Sequence, residues 1–220
     1  MMNIDNFSLF INRSIELQSI MADVFSNFEP AADSRCIVSF QAGILSFEHH
    51  LAIFQLISDE LYSPGFSLLR PQFENLVRGI WLLHAATDSW IEKFNQPLTE
   101  ESAKKGDASP NLTEMIEHLK KNNEAPQHIV EQLQGYKDAT WKALNSYTHG
   151  GMHPLTRSID GYPLILMYNS LRNSNAVAAL NAQLLAITTG DLHNMQPIRV
   201  LHEQFQDCFP IIQPDGSISR

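Results

Sequence analysis

The stretch SPGFSLLRPQFENLVRGIWLLHAA, residues 63–86, decides the fold. Projected at about 100° per residue, Leu69, Phe73, Leu76, Ile80 and Leu83 fall on one arc, with Gln72, Asn75 and Gly79 along one flank of it. Arg70, Glu74 and Arg78 run along the other flank at i, i+4 and i+8, and Val77, Trp81 and Ala85 share that stripe. This is the period of an amphipathic helix and not the alternation of a strand. Ser63 and Pro64 suit its N-cap and first position. Pro71 removes a backbone donor and crowds the preceding turn, so a kink or a late start is expected near Arg70.

The same period extends in both directions. Phe7, Phe10, Ile11, Ile15, Leu17, Met21 and Val24 predict a helix from about Asp5 to Phe28, ended by Glu29-Pro30. After Asp33-Ser34, Ile37, Phe40, Ile44, Phe47, Leu51, Phe54 and Ile57 predict a long second helix to about Leu61. Beyond the decisive stretch, short helices are expected at Ser89–Phe94 and Asn111–Lys121. A longer one runs from Pro126 to the glycines Gly150-Gly151, then Met152–Tyr162 reads as a loop. Helices from Pro163 to Thr189 and from Met195 to Cys208 complete the chain. Residues 97–110, rich in Lys, Glu and Ser, are expected to form a surface loop, and 209–220 a flexible tail. With no hairpin-flanked alternation, the fold class is all-α: one domain, 1–220, a helical bundle of four to five core helices with short helices appended.

Composition narrows the function classes. Among 220 residues, 44% are apolar and 18% charged, enough for a packed core without staples. Cys36 and Cys208 have no CxxC partner, which leaves no disulfide framework or zinc ligand spacing and points to a reducing, cytoplasmic setting. The first residues lack the basic region of a secretory signal, and no uninterrupted apolar run reaches the ~18 residues of a membrane span. A net charge of -9 disfavours strong nonspecific DNA binding, which draws on Lys and Arg releasing counterions. Any nucleic-acid contact is expected to be local, through a few arginines in a pocket.

Candidate chemistry gathers at two places. One is the Arg70, Glu74 and Arg78 stripe with Trp81, where Glu74 is expected to be part-buried and paired to an arginine one turn away. The other is the end of the helix before Gly150, where Asn145 and His149 share a face. There the negative end of the helix dipole favours a charged imidazole. Tyr147, His153 and Arg157 lie close by in sequence. If the two faces meet, an acid, two guanidinium groups and an imidazole surround one pocket, an inventory suited to an anionic ligand or to phosphoryl chemistry. No metal site is expected, because Gly150-Gly151 breaks the helix between His149 and His153. No cofactor is expected either, since neither a glycine-rich phosphate loop nor an HExxH motif occurs. His49 and His50 read as core-edge or surface residues, and the cysteines as small buried ones.

The residues Leu69-Arg70-Pro71, Glu74, Arg78 and Trp81, followed by Ser146-Tyr147-Thr148-His149-Gly150, resemble a bacterial all-helical family of unknown function. That family is in turn similar to the HEPN superfamily of helical bundles, which contains many ribonucleases of toxin–antitoxin and phage-defence systems. The resemblance implies a homodimer and His149 as general acid or base of a metal-independent ribonuclease. HEPN ribonucleases carry an arginine shortly before the histidine on the same helix. Here that window holds Lys142, Ala143 and Leu144, so only His149 carries over directly and Arg70 or Arg78 would have to supply the cation from another helix. Three readings stay open: a binding module for RNA or an anionic small molecule, a HEPN-like ribonuclease, and a structural or antitoxin-like interaction protein.

Overall fold

The computed structural model describes residues 3–106 and 109–210. Its helices are α1 (Ile4–Phe25), α2 (Ser34–Ser58), α3 (Tyr62–Ser67), α4 (Leu69–His84), α5 (Asp88–Phe94), α6 (Glu100–Gly106), α7 (Leu112–Lys121), α8 (Gln127–Thr148), α9 (Met152–Asp160), α10 (Leu164–Thr188) and α11 (Met195–Gln204). Two short 3-10 turns, Leu192–Asn194 and Gln206–Cys208, flank α11. No strand occurs among the described residues, and the fold is an all-α helical bundle.

Local chemistry sets the helix ends. Asn3 accepts from the Asn6 amide at 2.8 Å and Asp33 from the Cys36 amide at 3.0 Å, so α1 and α2 start on side-chain caps. At α7, Asn111 and Glu114 form a reciprocal capping box. The expected break in the decisive stretch falls at Leu68. It leaves Pro71 in the first turn of α4, where a missing N–H costs no helical bond. Two segments read as loops hold helices instead. Residues 97–110 include the exposed α6, with 107–108 outside the described residues, and Met152–Tyr162 includes α9. The first, EESAKKG, carries no apolar stripe, and the second begins directly after two glycines with Pro154 in its first turn, so neither gives the usual helix signal. Of the expected tail, 211–220 likewise lie outside the described residues.

The centre is built by α2, α4 and α10, which pack against one another. Helix α2 has the length and mean hydropathy, 1.2 over 18 residues, of a membrane-crossing helix, yet half of that window is buried against the other helices. Close approach is carried by small residues. A Cβ at Gly79 of α4 would lie 3.2 Å from the Ser39 carbonyl oxygen of α2, and Ser39 donates to the Gly79 carbonyl at 2.8 Å.

A buried polar chain then locks four helices in register. Gln72 of α4 donates to the Ser174 carbonyl of α10 at 2.9 Å, and Ser174 Oγ donates back to Gln72 Oε1 at 2.8 Å. With its proton so used, Ser174 Oγ accepts from His50 Nδ1 of α2 at 3.0 Å, and His50 Nε2 accepts from Gln18 of α1 at 3.3 Å. His50 is therefore fully buried, contrary to the reading of it as core-edge or surface. Burial drives its pKa down to about 3, so it remains the neutral Nδ1–H tautomer. Gln72 lies two residues from both Arg70 and Glu74, on the opposite flank of α4, so this chain holds the helix whose other flank carries them.

Candidate functional site

Helix α4 turns Arg70, Glu74 and Arg78 into a cleft of about 340 Å³. Its other walls are Asn111, Leu112, Thr113 and Met115 from the start of α7 and Trp141 from α8. Arg70 is the hub. Its Nε and Nη2 both donate to Glu74 Oε1 at 3.0 Å, and its guanidinium lies 4.9 Å from the centre of the Trp141 ring. Its Nη1 reaches His149 Nε2 at 2.6 Å. An arginine carries only donors, so His149 Nε2 accepts, and this contact is open only to a ring whose Nε2 is unprotonated.

His149 owes its place to the end of α8. Gly150 takes φ 66°, the left-handed region that a glycine enters cheaply, and the Gly151 amide closes the turn onto the Ser146 carbonyl at 2.7 Å. The turn leaves the His149 ring exposed at the rim, within reach of α4. Trp141, Asn145 and His149 follow one another at i, i+4 and i+8 on α8, and Arg70 touches the first and the last. Asn145, between them, has a buried Oδ1 without a hydrogen-bond partner among the described residues.

Glu74 and Arg70 are part-buried, with side chains 27% and 21% exposed. Arg78 differs from Arg70. Among the described residues it makes no ion pair or hydrogen bond, and its Nε is buried without a partner. The cleft thus holds one guanidinium committed to a carboxylate and one uncommitted.

The remaining expected site residues lie elsewhere. Trp81 is 1% exposed and does not line the cleft: its Nε1 donates to His118 Nδ1 at 3.2 Å and its ring meets Trp90 edge-on. The stripe it shares with the arginines curves into the core where α7 covers it, and Trp141 supplies the aromatic wall instead. Tyr147 is also buried, stacked among Phe66, Tyr162 and His153. Burial pushes its phenol up, and a hydrogen bond with Arg157 opposes that. Tyr147, His153 and Arg157 therefore make a group of their own beside α9. Trp141 was not among the expected site residues, although its spacing of eight from His149 puts both on one stripe; the α7 residues had no sequence signal, since only packing brings them to α4. Among the described residues no group of three or more His, Cys, Asp or Glu could hold a metal ion.

Comparison with known proteins gives one match. Residues 43–211, most of the chain, fit a family described as "Family of unknown function (DUF6988)". No curated protein and no solved structure matches.

Proposed function

We propose that this chain, which belongs to the family of unknown function DUF6988, binds a phosphate-bearing ligand, a small molecule or RNA, in the cleft between α4, α7 and α8. The observation that carries this reading is Arg78: a guanidinium in a 340 Å³ cleft with a buried, unsatisfied Nε and no carboxylate of its own. An unpaired buried donor is costly unless a ligand completes it, and planar guanidinium donors match phosphate oxygens. Helix α7 adds the positive end of its dipole, its Thr113 and Glu114 amides being taken up by the Asn111 cap. Cleft size fits a small ligand. The free thiols Cys36 and Cys208 support a cytoplasmic setting for the proposal. Thermal melting of the full chain against nucleotides, sugar phosphates and short RNAs tests it. A rise in Tm that grows with ligand concentration and disappears in Arg78→Ala is expected; no shift with any of them rejects it.

A second reading is favoured by a specific contact, the 2.6 Å approach of Arg70 to His149. It supplies in space the arginine that the HEPN-like resemblance lacks in sequence. In this reading the protein is a metal-independent ribonuclease of a toxin–antitoxin or phage-defence system. A scissile phosphate would draw Arg70 Nη1 to itself, freeing His149 Nε2 to take the proton of the 2′-hydroxyl as its oxygen displaces the 5′-oxygen, which leaves with a proton from water and a 2′,3′-cyclic phosphate behind it. Cleavage of RNA that survives chelator supports this reading. Absence of cleavage across salt and pH leaves the binding module. Two copies of the chain are part of either reading, with α9 between the His149 sites, because its outward Met152, Leu155 and Ile159 are 73%, 60% and 88% exposed on one face.

A further inference from the structure

The Glu74 carboxylate is used on one side only. Both donors of Arg70 converge on Oε1, while Oε2 of this cleft-lining residue has no partner among the described residues. A glutamate and an arginine four residues apart on a helix ordinarily pair. Here Glu74 turns back to Arg70, and Arg78, one turn onward, is left alone. The cleft wall therefore carries a free acceptor and a free cation side by side. A plain anion satisfies the second and is repelled by the first. A ligand that answers both brings an N–H donor as well as a negative group. The rest of the wall, Leu112, Met115 and the Trp141 ring, suits something flat and apolar between them.

We infer that the cleft recognises a guanine nucleotide, with its phosphate on Arg78 and the N1–H and N2–H edge of the base on Glu74 Oε2. Guanine is the base whose pairing edge sets two donors next to each other. Adenine, cytosine and uracil place an acceptor beside their donor, and that acceptor would face the carboxylate. The inference rests on the phosphate-binding reading above and names the ligand within it. The nucleotide could be free or part of a strand, since both offer the same base edge and phosphate.

Titration calorimetry of the full chain with guanosine 5′-monophosphate, adenosine 5′-monophosphate, ribose 5-phosphate and guanosine separates the parts. The guanine nucleotide should bind about tenfold or more tighter than each of the others, as expected for a base edge met by its partner. In Glu74→Gln the donors of Arg70 hold the amide oxygen, so the amide N–H₂ takes the place of Oε2. Guanosine 5′-monophosphate should then fall to the level of ribose 5-phosphate, while Arg78→Ala weakens every phosphate alike. Equal wild-type binding of guanosine 5′-monophosphate and ribose 5-phosphate overturns the guanine inference and leaves phosphate binding standing; no binding of any compound overturns both. Should Glu74→Gln fail to fold, the wild-type series alone decides. Within a positive result, a guanine trinucleotide binding tighter than the mononucleotide supports a strand as ligand, and equal affinities support a free nucleotide.

Discussion

Arg78 and Arg70 lie two helical turns apart with Glu74 between them, and their fates differ because one carboxylate is shared unequally. Arg78→Ala removes a guanidinium with an unsatisfied Nε, so it is expected to leave the unliganded Tm unchanged or slightly raised while costing about tenfold or more in phosphate binding. Glu74→Ala should behave in the opposite way. It strips a part-buried Arg70 of its counter-ion, and urea unfolding should show a loss of about 1–2 kcal/mol, between the values for exposed and for fully buried pairs. At the rim, His149 is exposed and its ring bonds, among the described residues, only to Arg70, so His149→Ala should melt close to wild type. If the protein cleaves RNA, the same variant should be inactive, and an active His149→Ala removes the catalytic role.

At the scale of the helices, two glycines give opposite expectations for the same substitution. Gly135 of α8 has nothing within 4 Å of an added Cβ, so Gly135→Ala should stabilise by up to about 1 kcal/mol through helix propensity. A Cβ added at Gly79 of α4 would meet Leu184 Cδ2 at 2.6 Å and the Ser39 carbonyl at 3.2 Å. Gly79→Ala must part α4 from α2 and α10, and should destabilise by about 1–3 kcal/mol despite the same propensity gain. Denaturant midpoints of the two variants on either side of wild type are the check.

The His50 chain between α1, α2, α4 and α10 gives a pH dependence. Its folded pKa, about 3, lies below the ordinary 6.5, so below pH 6.5 the unfolded chain takes up a proton that the folded chain refuses. Its contribution is fully present above pH 6.5 and is lost toward pH 3 at up to about 1.4 kcal/mol per unit. Burial pushes His49, His84 and His202 in the same direction. Stability measured in urea should therefore fall from pH 7 to pH 5, and less steeply in His50→Gln.

For the whole molecule, the exposed apolar face of α9 begins just after the turn that displays His149, so pairing through it would draw two clefts together. Sedimentation of the full chain is expected to give twice the 24.9 kDa of one chain, and Ile159→Asp to return it to one. A single-chain mass for wild type at micromolar concentration refutes the pairing.

The helices could be read along the chain, because their period, caps and glycine stops are local properties. The sequence also placed Arg70, Glu74 and Arg78 on one stripe of α4, and Asn145 and His149 on one face of α8, since residues four apart on a helix must share a side. It missed α6, whose EESAKKG carries no apolar stripe, and α9, which starts directly after Gly150-Gly151 with Pro154 in its first turn. Which faces meet is a matter of packing between distant helices. Packing of α7 over the end of α4 sent Trp81 into the core, brought Thr113 and Met115 to the arginines and left Trp141 as the aromatic wall. His50 and His49 are neighbours in a pattern that does not tell them apart, yet one is sealed among four helices and the other is not. The choice of Glu74 between two arginines, each four residues away, was equally undecidable along the chain. It was settled by Trp141 and His149 of α8, which hold Arg70 in place from the far side and leave Arg78 free.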